Sequence, residues 1–284
     1  MTEQLSPVGR FQTIVLATDG SEYSAAAEKA ALEMARRCSA RLLVTRVVLT
    51  NPEYEALVPD RVQEAEKEAQ KHIDKLAEQA RSEGVQADTI LRQGTDPYHE
   101  VVRVANEKHA DVIVIGRRTR SDLARLMVGD STAKVIGLAT CSVLVVPRGT
   151  SMPQHGILVA TDGSRLGDAA AHSAVRLVRQ CTLPLTVITV VAPESPPETR
   201  SESEAAIERV RKAASREQIE IDATIEEGRR PDEIIVETAK RKNADMIVVG
   251  SHGRTGLGRL LMGSVSERVI GKATCPVLVV KASM

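Results

Sequence analysis

The amino-acid sequence predicts an α/β protein of two tandem domains, each with a five-stranded parallel sheet flanked by helices. Short β-branched runs alternate with amphipathic helical stretches along all 284 residues, which is the pattern of right-handed βαβ crossovers. Three segments also recur in the same order, 13–21 as 156–164, 110–116 as 244–250 and 139–146 as 273–280. The repeat of roughly 140 residues is an ordinary domain size. We therefore expect domains at 1–148 and 155–284.

The elements of the second domain follow from local pattern. Strands are expected where β-branched residues cluster, and helices where apolar residues recur every three or four positions. Ser164 precedes one such helix, and Pro231 stands in the first turn of another. A loop rich in Pro, Glu and Ser is expected over 192–203. The predicted strands are 157–161, 185–191, 219–225, 246–249 and 277–280, and the helices begin after 164, at 204, after 231 and at 265.

The first domain repeats this order with one longer connection, through residues 51–60, after its second strand. Its charge-dense second helix has the Glu–Lys spacing of a solvated outer face. The predicted strands are 13–17, 42–48, 86–91, 112–115 and 143–146, and the helices are 21–38, 62–82, 98–109 and 131–138.

Composition argues against several classes of partner. Acidic and basic residues number 38 each, so no net charge attracts nucleic acid or an acidic membrane surface. The chain has no Trp, one Phe and three Tyr, too few aromatic rings for a base-stacking platform. No apolar run has membrane-spanning length and no signal-peptide core is evident. We expect a cytoplasmic protein that binds neither nucleic acid nor membrane, with its four cysteines as buried thiols.

A glycine-rich segment of the second domain is the strongest functional signal. Residues 250–266 read Gly-Ser-His-Gly-Arg-Thr-Gly-Leu-Gly-Arg-Leu-Leu-Met-Gly-Ser-Val-Ser, between a predicted strand and a predicted helix. Gly250, Gly253 and Gly263 permit close backbone approach. The N–H groups of Ser264 and Ser266 stand at the positive end of the helix dipole, where they can bind phosphate.

Two common nucleotide motifs do not fit this segment. A dinucleotide-binding G-x-G-x-x-G should follow the first strand, and a P-loop should read G-x4-G-K-[ST]. The first strands are instead followed by Asp-Gly-Ser, at 162–164 and at 19–21. Dehydrogenase and P-loop NTPase chemistry are therefore disfavoured.

The spacing G-x2-G-x9-G-S, together with Val-Ala-Thr-Asp-Gly-Ser at 159–164, resembles the nucleotide-binding signature of the universal stress protein family. The resemblance spans essentially the whole chain and implies the tandem type. It implies Rossmann-like, adenine nucleotide alpha-hydrolase-like domains with strand order 3-2-1-4-5. In such a sheet the ligand binds where the order reverses, between strands one and four. The implied ligand is ATP, AMP or ADP, with or without Mg²⁺.

The resemblance also implies roles for single residues. It places Asp162 at the adenine or ribose side or on a metal ion, and Val190 in backbone contact with the adenine edge. Asp162 can equally serve as the turn residue of Asp-Gly-Ser. His252 could contact ribose or phosphate and Arg254 could reach phosphate, and a solvated position stays open for each. The expected nucleotide-binding set is Asp162, Val190, Gly250, His252, Gly253, Arg254, Gly263, Ser264, Val265 and Ser266.

The corresponding segment of the first domain departs from the motif. Gly116 and Gly129 remain, but Asp130 replaces Ser264. A carboxylate there favours the helix terminus yet repels a phosphate. We expect weak ATP binding or none in this domain. We also expect a salt bridge from Asp130 to one of the nearby arginines, which are Arg117, Arg118, Arg120 and Arg125.

Three functions are weighed. The first is an ATP-binding, nucleotide-responsive stress or regulatory protein whose nucleotide lies mainly in the second domain. The second is a slow ATPase or autophosphorylating enzyme, and the third a nucleotide-free interaction scaffold. The sequence offers a phosphate cradle but no Ser/His/Asp or Cys/His constellation. The family resemblance further implies pairing of the two domains through their fifth strands, and it leaves a homodimer of whole chains open.

Overall fold

The computed structural model describes residues 11–117, 129–253 and 262–281. The described chain divides into two compact units, the first of residues 11–117 and 129–151, the second of residues 152–253 and 262–281. Each unit is an α/β structure with an entirely parallel sheet. The predicted fold class is therefore confirmed.

In the first unit the central strand is β1 (Thr13–Ala17), which pairs with β2 (Arg41–Leu49) and with β4 (Val112–Gly116). The outer strands β3 (Ala87–Gly94) and β5 (Ser142–Val146) pair with β2 and β4. The order is therefore 3-2-1-4-5, as expected. The helices are α1 (Ala25–Cys38), α2 (Pro52–Leu57), α3 (Pro59–Ser82), α4 (Pro97–Glu107) and α5 (Asp130–Leu138).

The second unit repeats this arrangement around β6 (Ile157–Ala160), which pairs with β7 (Leu185–Val191) and β9 (Met246–Gly250). The outer strands are β8 (Ile221–Glu227), beside β7, and β10 (Val277–Val280), beside β9. The order again reverses between the first and fourth strands of the unit. The helices are α6 (Arg165–Cys181), α7 (Pro197–Arg216), α8 (Pro231–Arg241) and α9 (Ser264–Lys272).

Helix α6 shows how local sequence sets these elements. Ser164 is its N-cap, and the Ser164 hydroxyl accepts a hydrogen bond from the Gly167 N–H at 3.1 Å, which satisfies one of the free amide groups of the first turn. Ala170 and Ala174, four residues apart, are fully buried. Thr182 ends the helix in the left-handed conformation with φ of 54°. The cap thus places the turn before α6 at the carboxyl end of β6.

Several helix bounds differ from the sequence prediction, and α1 begins at Ala25 rather than at residue 21. Helix α7 begins at Pro197, seven residues before the predicted start at 204, because proline is well suited to a first helical position. The connection over 51–60 contains the short helix α2 and the start of α3. The Asn51 side chain caps α2 by accepting from the Tyr54 N–H at 2.8 Å, and Pro52 occupies the first turn. Side-chain capping therefore gives order where the hydrophobic pattern shows none.

The cysteines correct a further expectation. Cys38, Cys141, Cys181 and Cys275 are all partly exposed rather than buried. Each lies at a helix end or just before a strand, where a side chain meets solvent on one side. Among the described helices, none combines the length and the apolar character that crossing a bilayer requires.

Asp245 anchors the amino-terminal side of the second sheet. One carboxylate oxygen accepts from the Gln154 N–H at 2.8 Å and the other from the Gly156 N–H at 3.1 Å, and His155 Nδ1 lies 3.0 Å away. Burial by itself would raise the pKa of Asp245, but these hydrogen bonds outweigh it and hold the pKa below its ordinary value. The carboxylate therefore contributes most when it is ionised.

We predict that Asp245→Asn lowers the free energy of unfolding at pH 7 by about 1–3 kcal/mol, since backbone donors lose a charged acceptor. Because folding lowers the pKa of Asp245, its full contribution to the free energy of unfolding is present above the ordinary carboxyl pKa of about 3.9. This contribution is lost as the pH falls through the pKa of the folded state. Urea unfolding followed by circular dichroism at pH 7 and pH 3 measures both. If the free energies of unfolding of wild type and Asp245→Asn differ by the same amount at both pH values, this role is contradicted.

Candidate functional site

A cleft of about 240 Å³ opens in the second unit at the carboxyl ends of β6, β7 and β9. The first turns of α8 and α9 complete its walls. Arg254, one of the expected site residues, lies outside the described residues. The other nine all line the cleft: Asp162, Val190, Gly250, His252, Gly253, Gly263, Ser264, Val265 and Ser266.

The Asp162 carboxylate lies between two glycines. Oδ1 accepts from the Ser164 N–H at 3.0 Å, which makes the Asp-Gly-Ser turn. A Cβ built on Gly253 would lie 2.5 Å from Oδ2, and one built on Gly167 would lie 2.7 Å from Oδ1. Any side chain at either position would therefore displace the carboxylate. Asp162 therefore has the turn role and also lines the cleft.

The start of α9 forms one end of the cleft. The Gly263 N–H donates to the Ser251 carbonyl at 2.9 Å, and the first helical bond runs from the Glu267 N–H to the Gly263 carbonyl at 3.0 Å. The N–H groups of residues 264–266 thus have no acceptor within the helix. A Cβ on Gly263 would approach His252 Cα to 3.2 Å. The glycine therefore lets the helix begin directly against the loop that follows β9.

The hydroxyl of Ser266 is already engaged. It is buried and donates to the Gly250 carbonyl at 2.7 Å, so it ties α9 to the end of β9. Gly250 in turn packs against α6, since a Cβ there would lie 2.9 Å from the Leu166 backbone. Ser266 can therefore offer its N–H to a ligand, while its side chain holds the helix in place.

The other end of the cleft is apolar. Ile188 and Val190, two residues apart on β7, point to the same side, and Pro231 and Ile235 face them from the first turns of α8. Sequence reasoning named only Val190 here. Because side chains alternate between the two faces of a strand, Val190 indicated that Ile188, two residues earlier, lies on the same face. Pro231 indicated where α8 begins. The remaining lining residues that it missed are Ala160, Thr161, Gly167 and Val249.

Arg209 of α7 steadies the Asp162 turn from outside. Its guanidinium donates to both carboxylate oxygens of Asp168, at 2.9 and 3.1 Å, and to the Gly163 carbonyl at 3.2 Å. Such two-pronged arginine–carboxylate contacts fix orientation as well as distance. Nothing in the sequence pattern indicated this contact, which joins positions 41 residues apart.

Asp162 is the one carboxylate among the described lining residues. Within the described ranges, no group of three or more His, Cys, Asp or Glu side chains is arranged to hold a metal ion. Mg²⁺ is commonly bound by one or two carboxylates together with the phosphates of a nucleotide. The cleft fits that arrangement, and Asp162 is the carboxylate that would hold the ion there.

The first unit uses its corresponding aspartate differently. Oδ1 of Asp19 accepts from the Ser21 N–H at 2.9 Å, the Ser21 hydroxyl at 2.6 Å and the Ser24 hydroxyl at 2.6 Å. Ser24 stands where the second unit has Gly167. The Asp19 oxygen is therefore occupied by donors of its own turn.

The salt bridge expected from Asp130 to an arginine stays a prediction. Within the described residues Asp130 pairs with Lys134, one helical turn away, at 2.8 Å. The hydrogen bond to Asp130 raises the pKa of Lys134. Contacts four residues apart within a helix form with little loss of chain freedom, which favours this partner. Arg118, Arg120 and Arg125 lie outside the described residues.

The sequence and the fold are similar to those of known universal stress proteins. The chain is 37% identical over 147 residues to a universal stress protein of Bacillus subtilis, covering 48% of this chain and 99% of that protein. It is 38% identical over 138 residues to one of Methanocaldococcus jannaschii, covering 44% and 81%. The crystal structure of a universal stress protein from Archaeoglobus fulgidus superposes with a TM-score of 0.78 at 23% identity, covering 95% of this chain and 98% of that one. The similarity to this crystal structure shows that the two chains share a fold.

The model of the universal stress protein family matches twice, at residues 10–147 and at residues 155–281. These matches fall on the two repeats, each with the strand order given above. The chain therefore belongs to the universal stress protein family, as a tandem of two such domains.

Proposed function

We propose that this protein binds ATP in the second of two domains, at 1–148 and 155–284, and acts as a nucleotide-responsive stress or regulatory protein. One observation carries the proposal. The Asp162 turn after β6 and the glycine-bounded start of α9 after β9 face one cleft, although they are about 100 residues apart in the chain. A cleft at this reversal of strand order is where open α/β sheets bind ligands.

The phosphates bind at the start of α9. The N–H groups of residues 264–266 and the helix dipole favour an anion there. Gly253 and Gly263 leave room for the phosphates to approach. The side chains that can contact the phosphates are those of His252 and Arg254, which flank Gly253 in the sequence. When Mg²⁺ accompanies the nucleotide, Asp162 is its protein ligand and the metal offsets phosphate charge.

The base binds at the apolar end. Ile188, Pro231 and Ile235 offer flat apolar contact. Strand β6 ends at Ala160, opposite Ile188, while β7 continues to Val191. The backbone of Val190 therefore extends beyond its neighbour and can hydrogen-bond to the edge of adenine. AMP or ADP would use the same base contacts with fewer phosphate contacts.

The fifth strands provide the assembly contact in this proposal. Strands β5 and β10 are apolar and β-branched, and each ends the strand order of its own unit. Edges of this kind favour pairing with another strand. Within one chain the two domains can satisfy each other's edges, and the protein then works in the cytoplasm without a second chain.

We predict a stoichiometry near one ATP per chain. Calorimetric titration of nucleotide-free protein with Mg-ATP measures it. Gly263→Asp should abolish binding, because a carboxylate would then stand at the helix terminus that binds phosphate. Gly129→Asp, the matched change in the first domain, should leave the titration unchanged. Binding lost in the Gly129 variant, or two equal sites in wild type, contradicts the assignment to the second domain.

We predict that Gly253→Ala weakens ATP binding by about tenfold or more, the effect of roughly 1.4 kcal/mol. The new Cβ would lie 2.5 Å from the Asp162 carboxylate, which must move. Gly156→Ala is the control in the same domain, since its nearest contact would be an ordinary 3.4 Å to Pro184. Equal affinity of wild type and the Gly253 variant would show that ATP binding does not need this geometry.

We predict a molar mass of one chain, 30.6 kDa, across a wide range of concentrations. Light scattering coupled to size exclusion measures it. An edge satisfied within the chain leaves no pairing surface for a second copy. A mass of two chains that persists on dilution would instead show that whole chains pair.

A further inference from the structure

A buried carboxylate outside the cleft joins the two helices that form its walls. Asp232 is the second residue of α8 and follows Pro231, which lines the cleft. Its side chain is 2% exposed. A carboxylate buried to this extent is costly unless it is paired.

The partners of Asp232 both come from α9. Lys272 Nζ donates to Oδ2 at 2.6 Å, and Arg268 Nε donates to Oδ1 at 3.2 Å. Lys272 also donates to Glu233 Oε1 at 2.9 Å and is itself largely buried. Burial alone would raise the pKa of Asp232, but the hydrogen bond and charge of Lys272 and the charge of Arg268 lower it below its ordinary value. The cluster is therefore ionised at neutral pH.

This cluster restricts where α9 can lie. Helices α8 and α9 pack against each other, and both oxygens of one buried carboxylate bind side chains of α9. Apolar contacts alone tolerate sliding of one helix along another, whereas two charged hydrogen bonds to a buried group do so only at a large cost. The first turn of α9, four residues before Arg268, is thereby held at a defined distance from the first turn of α8.

The first unit lacks the cluster. Tyr98 follows Pro97 in α4 as Asp232 follows Pro231 in α8, and Leu138 ends α5 where Lys272 ends α9. In place of the ion pair, Lys134 lies 4.8 Å from the centre of the Tyr98 ring. The buried carboxylate thus occurs in the unit that keeps the intact glycine motif.

We propose that Asp232 is a positioning residue for phosphate binding, which holds the first turn of α9 at the distance from the opposite wall that the phosphates of a nucleotide require. The inference rests on the proposed ATP site and adds a residue that does not itself contact the ligand. It implies that the charge on Asp232 governs the contribution of the phosphates to affinity, and that the contribution of the base is independent of it.

The test compares wild type, Asp232→Asn and Asp245→Asn by calorimetric titration with ATP and with adenosine. Asp245 is the matched control, because it is a carboxylate with a lowered pKa in the same unit that binds backbone at the opposite ends of the strands. We expect Asp232→Asn to bind ATP about tenfold more weakly and adenosine equally well. Asp245→Asn should bind both like wild type at a temperature where all three are folded.

A second readout needs no nucleotide. Hydrogen exchange of the hydrogen-bonded amides of Gly263 and Glu267, at the start of α9 in nucleotide-free protein, should be faster in Asp232→Asn than in wild type and unchanged in Asp245→Asn. Should Asp232→Asn fold poorly, Asp232→Asn/Lys272→Met also removes the buried cation that has lost its partner Asp232, and it should show the same selective loss for ATP.

The outcomes separate this inference from the proposed function. If wild type binds ATP and Asp232→Asn binds it equally, the inference is wrong and the proposed function stands. Equal losses for ATP and adenosine would show a general structural effect and would also overturn it. If wild type binds no ATP, the proposed function is wrong, and unchanged exchange of the Gly263 and Glu267 amides in Asp232→Asn would by itself refute the positioning of α9.

Discussion

The cleft depends on the close contact of the Asp162 carboxylate with two glycines. Gly167 comes from the helix that follows β6, and Gly253 from the loop that follows β9. Because the carboxylate fills the space that either Cβ would occupy, the two loops can approach each other only with glycine at both positions. Glycine in this motif therefore serves contact within the protein as well as approach of a ligand. A side chain at either position would force the carboxylate or the facing loop to shift.

The polar side chains around the cleft mostly hold the backbone in place. The Ser266 hydroxyl ties α9 to β9, the Ser164 hydroxyl caps α6, and Arg209 holds the Asp162 turn. What remains for a ligand is main-chain N–H at one end, apolar surface at the other and one carboxylate between them. A nucleotide bound there as proposed would be recognised through shape and backbone, and the site would depend on side chains that need not touch it.

The sequence predicted the architecture well because architecture follows from local pattern. Periodicity located the strands. The repeat and its Asp-Gly-Ser turns, together with the strand order that the family resemblance implied, predicted nine residues that line the cleft. Contacts between helices were not predictable in this way. Arg209 with Asp168 and Lys272 with Asp232 join residues 41 and 40 positions apart, and no period in the sequence encodes which charged residues of two helices meet. The pair of Asp130 with Lys134 was missed as well, although the two residues are only one helical turn apart.

The two units share one scaffold but surround the aspartate at the end of the first strand differently. Their strand orders are identical, and each has that aspartate. In the first unit Ser24 stands where the second unit has Gly167, so the hydroxyls of Ser21 and Ser24 bind the Asp19 carboxylate. In the second unit the Asp162 carboxylate lies against Gly167 and Gly253. The serine just before α1 is therefore the side chain that distinguishes the surroundings of Asp19 from those of Asp162.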